Sequence, residues 1–525
     1  MACGVACAAG PVAFDGYAGG QRGSVAVAGI REEQRGMTDR TSQPGRRRVL
    51  LLSYHYPPMG GSGVQRAAFL ARHLCALGWD VHVLRAGHRH HPLRDETLAE
   101  HDGALPGPVV HDVFGWDSGG AAAKLARWIP VAGPRTWVED RIYWRLDRWQ
   151  RRSCGAEPQQ WWAGAAIRAA VRLARSAPLD AVISTSPPHS VHRAAMGIAR
   201  RLAVPWIADL RDPITDNFAY QPRSIAEHER WVALERDIVS RAAAVVVTCE
   251  DLRDHLLARH RRGHAIQVIP NGYDEASCEK HGANRDGSMA SLTRPGGSTS
   301  LCITSVGSFY RDQSVGLLLS ALRRVNAGAS EPGVRWRIVG SVSGQQEQLF
   351  EPDDSRFVER VGYVSHGEAL DAMRRADLLF LMTPANAGGA LCIPSKTFEY
   401  LASGRHVLGV VHAGTHLERI LRSAGNTTLV LHGGGAADDL VRALEACRSR
   451  FIAGQLQTPR DTTFVNRFTR RAVAMQFSSL LEAVKDRSGM NATAAARELT
   501  RTRSHNPEGA PASQSSRTQD RGAKR

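Results

Sequence analysis

The chain alternates, twice over, between short apolar runs and longer segments whose apolar residues recur at helical spacing. The first series begins with "VLLLSYHYPP" at Val49, a glycine-rich turn and the helical run "VQRAAFLARHLCALG". It continues through "WDVHVLRAG" (Trp79), "LDAVISTSPP" (Leu179), "VPWIADLRDP" (Val204), "AAAVVVTCE" (Ala242) and "AIQVIPNGYD" (Ala265). Continuous apolar runs, rather than strict alternation, are the mark of strands buried on both faces by helices. The pattern therefore predicts parallel sheet built from βαβ units. A second series follows: "LCITSVGSFY", "RWRIVGS", "RFVERVGYV", "DLLFLMTP" and "HVLGVVHAG", separated by helical stretches such as "SVGLLLSALRRV" and "GEALDAMRRA".

The expected fold class is α/β, with two Rossmann-like domains facing each other across a cleft. A chain of 525 residues exceeds what one core usually supports, which agrees with two domains. The boundaries read as 47–272 and 301–458, joined by a polar, Gly- and Ser-rich linker or surface insertion at 273–300. The stretch 459–487 has the pattern of an amphipathic helix. Residues 1–46 and 488–525 read as disordered termini. No run of about 18 uncharged apolar residues occurs, so no spanning helix is expected.

The opening segment lacks the pattern of a secretory signal, Met37 is an alternative start, and the nine cysteines form no CxxC pair. A reducing cytoplasm fits. The net charge of +16 admits polyanionic partners. Between Ser488 and Arg525, however, seven Lys/Arg face three Asp/Glu in a context that should not pack. With no recognised nucleic-acid motif, no nucleic-acid partner is expected.

In open α/β sheets ligands gather beyond the carboxyl ends of the strands, so the turns there carry the candidate site. Gly60, Gly61 and Gly63 lie before a helix start, where amides and dipole favour an anion; a tight turn without ligand is the alternative. The turn "STSPPHSVH" offers His189 and His192, three residues apart, as groups that exchange protons near neutral pH. "PWIADLRDP" places Asp209, Arg211 and Asp212 after the next strand, suited to sugar hydroxyls or phosphate, or else to a self-contained ion-pair turn.

In the second half, Ser395, Lys396 and Thr397 stand at a helix start, ready to hold a diphosphate. Glu399 follows, placed to accept two ribose hydroxyls. Ser308 and Arg311, in another strand-to-helix turn, would add contacts to the phosphates. A capping box at Ser395 is the competing reading.

Taken in order, "YHYPPMGGSGVQR", "STSPPHSVH", "PWIADLRDP", "IPNGYD", "VGYVSHGEALDAMRRADLLFLM" and "PSKTFEYLASGRHVL" resemble a GT-B glycosyltransferase of family 4, near its polysaccharide-biosynthesis branch. The resemblance spans about residues 47 to 485. It implies transfer of a sugar from a nucleotide-sugar donor to a glycan or lipid-linked acceptor, usually with retention, needing neither cofactor nor metal. It also implies that Glu399 is the second acid of the family's E-x7-E signature, and Leu391 stands where the first acid belongs. His189, His192, Asp209 and Asp212 become the catalytic candidates on the acceptor side; Gly60, Gly61, Ser308, Arg311, Ser395, Lys396, Thr397 and Glu399 become the donor-binding ones.

Six of the eleven tryptophans fall between Arg127 and Trp162, where Arg141, Arg145, Arg148 and Arg152 recur beside Ile142, Leu146 and Trp149. A basic amphipathic helix with tryptophan suits an anionic membrane face; a helix packed on its own domain with a solvated stripe is the plainer alternative. The resulting expectation is a cytoplasmic transferase, peripheral at the inner membrane face, with a catalytically silent GT-B scaffold as the competing reading.

Overall fold

In a computed structural model of the protein, the described residues are 47–87, 107–114, 159–260, 266–275, 299–309 and 315–504, apart from 219 and 343, together with 95, 125, 141, 142, 145, 146 and 157. The expected N-terminal extension and most of the expected linker lie outside them.

The N-terminal sheet has seven strands: β1 (Arg48–Leu52), β2 (Asp80–Ala86), β3 (Val109–Val113), β4 (Ala181–Ser186), β5 (Trp206–Leu210), β6 (Ala244–Val247) and β7 (Ile266–Val268). They run parallel in the order β3-β2-β1-β4-β5-β6-β7. The second sheet comprises β8 (Leu301–Val306), β9 (Val334–Val339), β10 (Val358–Gly362), β11 (Leu378–Met382), β12 (His406–Val411) and β13 (Thr427–Leu431). Its order, β10-β9-β8-β11-β12-β13, is again all parallel. Each sheet reverses direction of growth once, between β1 and β4 and between β8 and β11, and the crevice of a doubly wound sheet opens at that reversal.

The interior strands β1, β4, β5, β6, β8, β11 and β12 are buried along their whole length, as their apolar runs predict. Two strands were not expected from the sequence, β3 and β13, and both are sheet edges. An edge strand buries little: β3 exposes Val109 and Val110, and β13 opens with two half-buried threonines. Neither therefore carries the continuous apolar run that marks the interior strands.

The last helix, Arg470–Ser504, begins later than expected and continues through Ser504, into the segment expected not to pack. Its first half returns to the N-terminal domain. Val473, Ala474, Phe477, Leu481 and Val484 share a core with Val49, Leu51, Leu74 and Ile183. The Trp79 indole N–H donates to the Ser478 hydroxyl at 2.9 Å, and Lys485 pairs with Asp180 at 2.7 Å. The chain thus crosses back, tying both domains at one end of the cleft. Among the described residues no helix is long and apolar enough to cross a membrane.

Candidate active site

A cleft of about 590 Å³ lies between the sheets, walled by turns that follow strands in both domains. Gly61 and Gly63 follow β1, Pro187 follows β4, and Arg211 and Asp212 follow β5. Opposite them stand Gly307 and Ser308 after β8, Ser341 after β9, His366 after β10, and Thr383 after β11.

The wall of the second domain is centred on the helix Lys396–Ser403. Ser395 precedes it but its side chain makes no capping bond, so the capping-box alternative is not realised, and Ser395 faces the cleft. Lys396 lies with its ammonium 5.3 Å from the Phe309 ring centroid, and burial pushes its pKa down to about 8. It lies over Gly307, where a Cβ would meet Lys396 Nζ at 3.8 Å, an ordinary contact. Gly307 also has φ +101°, and its carbonyl oxygen would sit 2.4 Å from a Cβ on Gly340, so two strand-end turns approach as only glycines allow. A helix start, a cation and small turns together present positive potential to the cleft.

One turn further on, Glu399 is 8% exposed and lines the cleft. Its Oε1 lies 3.5 Å from Arg470 Nη2 and 3.7 Å from His366 Nε2. Arg470 donates a tighter bond, 2.6 Å, to Gln65 Oε1, and its guanidinium carbon lies 3.6 Å from the Phe69 ring centroid. Burial lowers the pKa of His366, and Glu399 opposes that shift.

On the facing wall, Arg211 donates to the carbonyls of Ser186, Gly63 and Pro187, so one buried guanidinium fixes two cleft turns. Asp212 lines the cleft beside Cys392 of the other domain. Burial, with Asp212 adding to it, holds the Cys392 thiol well above its ordinary range. Among the described residues no group of three or more His, Cys, Asp or Glu is placed to hold a metal ion.

Of the expected residues, Gly61, Ser308, Ser395, Lys396, Glu399 and Asp212 are brought together on the cleft walls. Five others are placed elsewhere. Asp209 is fully buried, its oxygens taken by Arg66 at 2.8 and 3.0 Å and by the Thr185 hydroxyl at 2.7 Å. It is the anchor of a structural ion pair. His192 is also fully buried; its Nδ1 meets Ser184 Oγ at 2.8 Å, and burial pushes its pKa well below the ordinary value. It belongs to the core of its domain. Thr397 has no exposure, and Gly60 is buried and does not line the cleft. His189 stands beside the wall residue Pro187, edge-on to Trp231 with ring centroids 5.8 Å apart, and burial lowers its pKa. Arg311 lies outside the described residues.

Sequence reasoning did not nominate Gln65, His366 or Arg470. Gln65 and His366 stand in motifs already read and follow strand ends, a signal that was available. Arg470 had none, because it meets Gln65 across 405 residues of chain.

Two doubly wound parallel sheets opposed across a cleft are the architecture of the GT-B fold. Residues 60–272 match the family described as Glycosyl transferase 4-like domain. Solved structures similar in fold include sucrose-phosphate synthase from Thermosynechococcus elongatus (TM-score 0.55, 14% identity, covering 84% of this chain and 99% of that one). HepE of Anabaena, in complex with UDP and glucose, gives 0.52 at 13% identity, covering 83% and 99%. The lipopolysaccharide outer core galactosyltransferase WaaB, in its apo form, gives 0.51 at 12%, covering 83% and 99%. No curated protein matches the sequence.

Proposed function

We propose that the protein moves a sugar from a nucleotide-sugar donor to a glycan or lipid-linked acceptor, with retention at the anomeric carbon, in building a cell-surface polysaccharide or glycolipid. The observation that carries this reading is that Ser395, Lys396 and Glu399, from one helix start, face the same interdomain cleft. The donor diphosphate sits against the helix start and the Lys396 ammonium, while Glu399 accepts the ribose hydroxyls. Fixed positive charge there stabilises the diphosphate as it leaves, which is where charge develops in the reaction. Asp212, on the opposite wall, takes an acceptor hydroxyl, and the approach of the two walls excludes water. That HepE was captured with UDP and glucose supports a nucleotide-sugar donor for this fold.

The reaction is placed in the cytoplasm, at the inner membrane face. Arg141 and Arg145 are helical and exposed beside half-buried Ile142 and Leu146, which supports a basic face toward anionic lipid. Arg148, Arg152 and Trp149 lie outside the described residues. One observation favours a second reading, a catalytically silent scaffold: Leu391 brings no carboxylate to the cleft, and its carbonyl accepts from the Cys249 thiol at 3.2 Å. Incubating the purified protein with a panel of nucleotide sugars separates the two. Binding with slow hydrolysis of one donor is expected; binding without any turnover, with every acceptor class offered, identifies the scaffold.

A further inference from the structure

The helix Ser190–Leu202 begins beside the cleft, two residues after the wall residue Pro187, and His189 at its N-cap supplies no side-chain capping bond. A single carboxylate from 32 residues upstream does so instead. Glu157 accepts the backbone N–H of His189 at 2.8 Å through one oxygen and that of Ser190 at 2.6 Å through the other. These are lengths of charge-assisted bonds at the positive end of a helix.

The carboxylate leaves the turn incompletely matched. The Ser190 hydroxyl, on the first helical residue, is 3% exposed and has no hydrogen-bond partner among the described residues. His189 Nδ1 is also buried without one. Ser186 Oγ, in the same turn, is a third buried atom without a partner. Buried polar groups are nearly always paired, and an orphaned hydroxyl at a helix start calls for an absent acceptor. The Arg211 guanidinium, which holds the Ser186 and Pro187 carbonyls of the same turn, supplies positive charge there, set against the Asp212 and Glu235 carboxylates that also act on His189. A carboxylate has two oxygens and both are used; a phosphate monoester offers three.

We propose that the start of this helix is a binding site for a phosphate ester carried by the acceptor, and that Glu157 is an internal anion which occupies it until the acceptor arrives. The amides of His189 and Ser190 bind two phosphate oxygens, and the Ser190 hydroxyl binds the third. Glu157 swings out, repelled by the incoming charge. The word acceptor rests on the function proposed above; the site itself does not. Its place in the N-terminal domain, across the cleft from Lys396, separates it from the donor diphosphate.

Inorganic phosphate is the first probe, titrated into the full chain in the presence of saturating nucleoside diphosphate so that the opposite wall is occupied. Glu157→Ala should bind phosphate at least about tenfold more tightly than the unaltered protein, the effect of removing one competing charged hydrogen-bond partner. Adding Ser190→Ala to that variant should reverse most of the gain. A folded Glu157→Ala protein with no gain, or a gain that survives Ser190→Ala, overturns the proposal and leaves Glu157 as a helix cap. Should Glu157→Ala fail to fold, Glu157→Gln keeps one of the two capping bonds without the charge, and absence of any gain there is equally decisive. A sugar phosphate and a short-chain polyprenyl phosphate in detergent then identify the source by which binds tighter; binding of neither refutes the site. Nucleoside diphosphate affinity, read separately in the unaltered protein, tests the proposed function, so either idea can fail without the other.

Discussion

Raising the pH from about 7 to about 9 should weaken nucleoside diphosphate binding about tenfold, because the Lys396 ammonium loses its proton in that interval. Burial places its pKa at about 8 in the free protein. About nine-tenths of the side chain is then charged one unit below that value and about one-tenth one unit above. A bound diphosphate favours the charged form and holds the proton, so complex formation takes up a proton once the free lysine is neutral. Affinity must therefore fall as pH rises through about 8, and the tenfold limit corresponds to about 1.4 kcal/mol. Terminal phosphate ionisation, with a pKa of about 6, is nearly complete throughout. Titration calorimetry in two buffers of different ionisation enthalpy measures both the affinity and the proton uptake. Lys396→Met should bind weakly at the lower pH and show a flat profile, and the corresponding nucleoside controls for ionisation of the base. A profile in the unaltered protein as flat as that of Lys396→Met, or a nucleoside that follows the same curve, would refute the placing of this ammonium against phosphate.

Glu399→Gln should weaken donor binding by about 1 to 3 kcal/mol while the protein stays folded; unchanged affinity in a folded variant removes Glu399 from the ribose site. Asp209→Asn should cost about 3 to 5 kcal/mol in a denaturant titration, because it strands Arg66 in a buried position. A variant of unaltered stability would show that the pair is not structural. Gly388→Ala would bring a methyl 2.5 Å from the Asp216 carbonyl oxygen and the Phe218 nitrogen, so the domains must part at that seam. Small-angle scattering should report a larger radius of gyration, and an unchanged radius would mean that the loop yields locally.

The two sheets were legible because parallel strands buried on both faces leave unmistakable apolar runs, and the edge strands β3 and β13 were not, since half their surface is solvent. That Lys396 and Glu399 would line the cleft was legible because a helix start announces itself locally. Asp209 and His192 misled for the same reason. Both stand at or near strand ends, where ligands gather, yet whether such a group faces the cleft depends on neighbours distant in sequence. Arg66 claims Asp209 across 143 residues, and Ser184 with Trp206 encloses His192. A carboxylate or imidazole near a strand end is thus a candidate that only packing can confirm.

Arg470 adds a coupling that no single motif contains. The last helix is packed on the N-terminal domain, yet its first residue reaches Glu399 in the other domain. At 3.5 Å that contact is longer than the 2.7–2.9 Å usual for a charge-assisted bond, whereas the bond from Arg470 to Gln65 is 2.6 Å. Arg470 is therefore held chiefly by its own domain, through Gln65 and the Phe69 ring, and leans toward Glu399 without gripping it. Under the proposed function this difference matters. A carboxylate tightly paired with arginine would have to break that pair to receive a ribose, at a cost set by the buried charge left behind. A carboxylate only approached by arginine keeps its oxygens open to hydroxyls. The same arginine also gives the N-terminal domain an electrostatic reason to approach the donor-binding wall, so binding at Glu399 and closure of the cleft draw on one interaction.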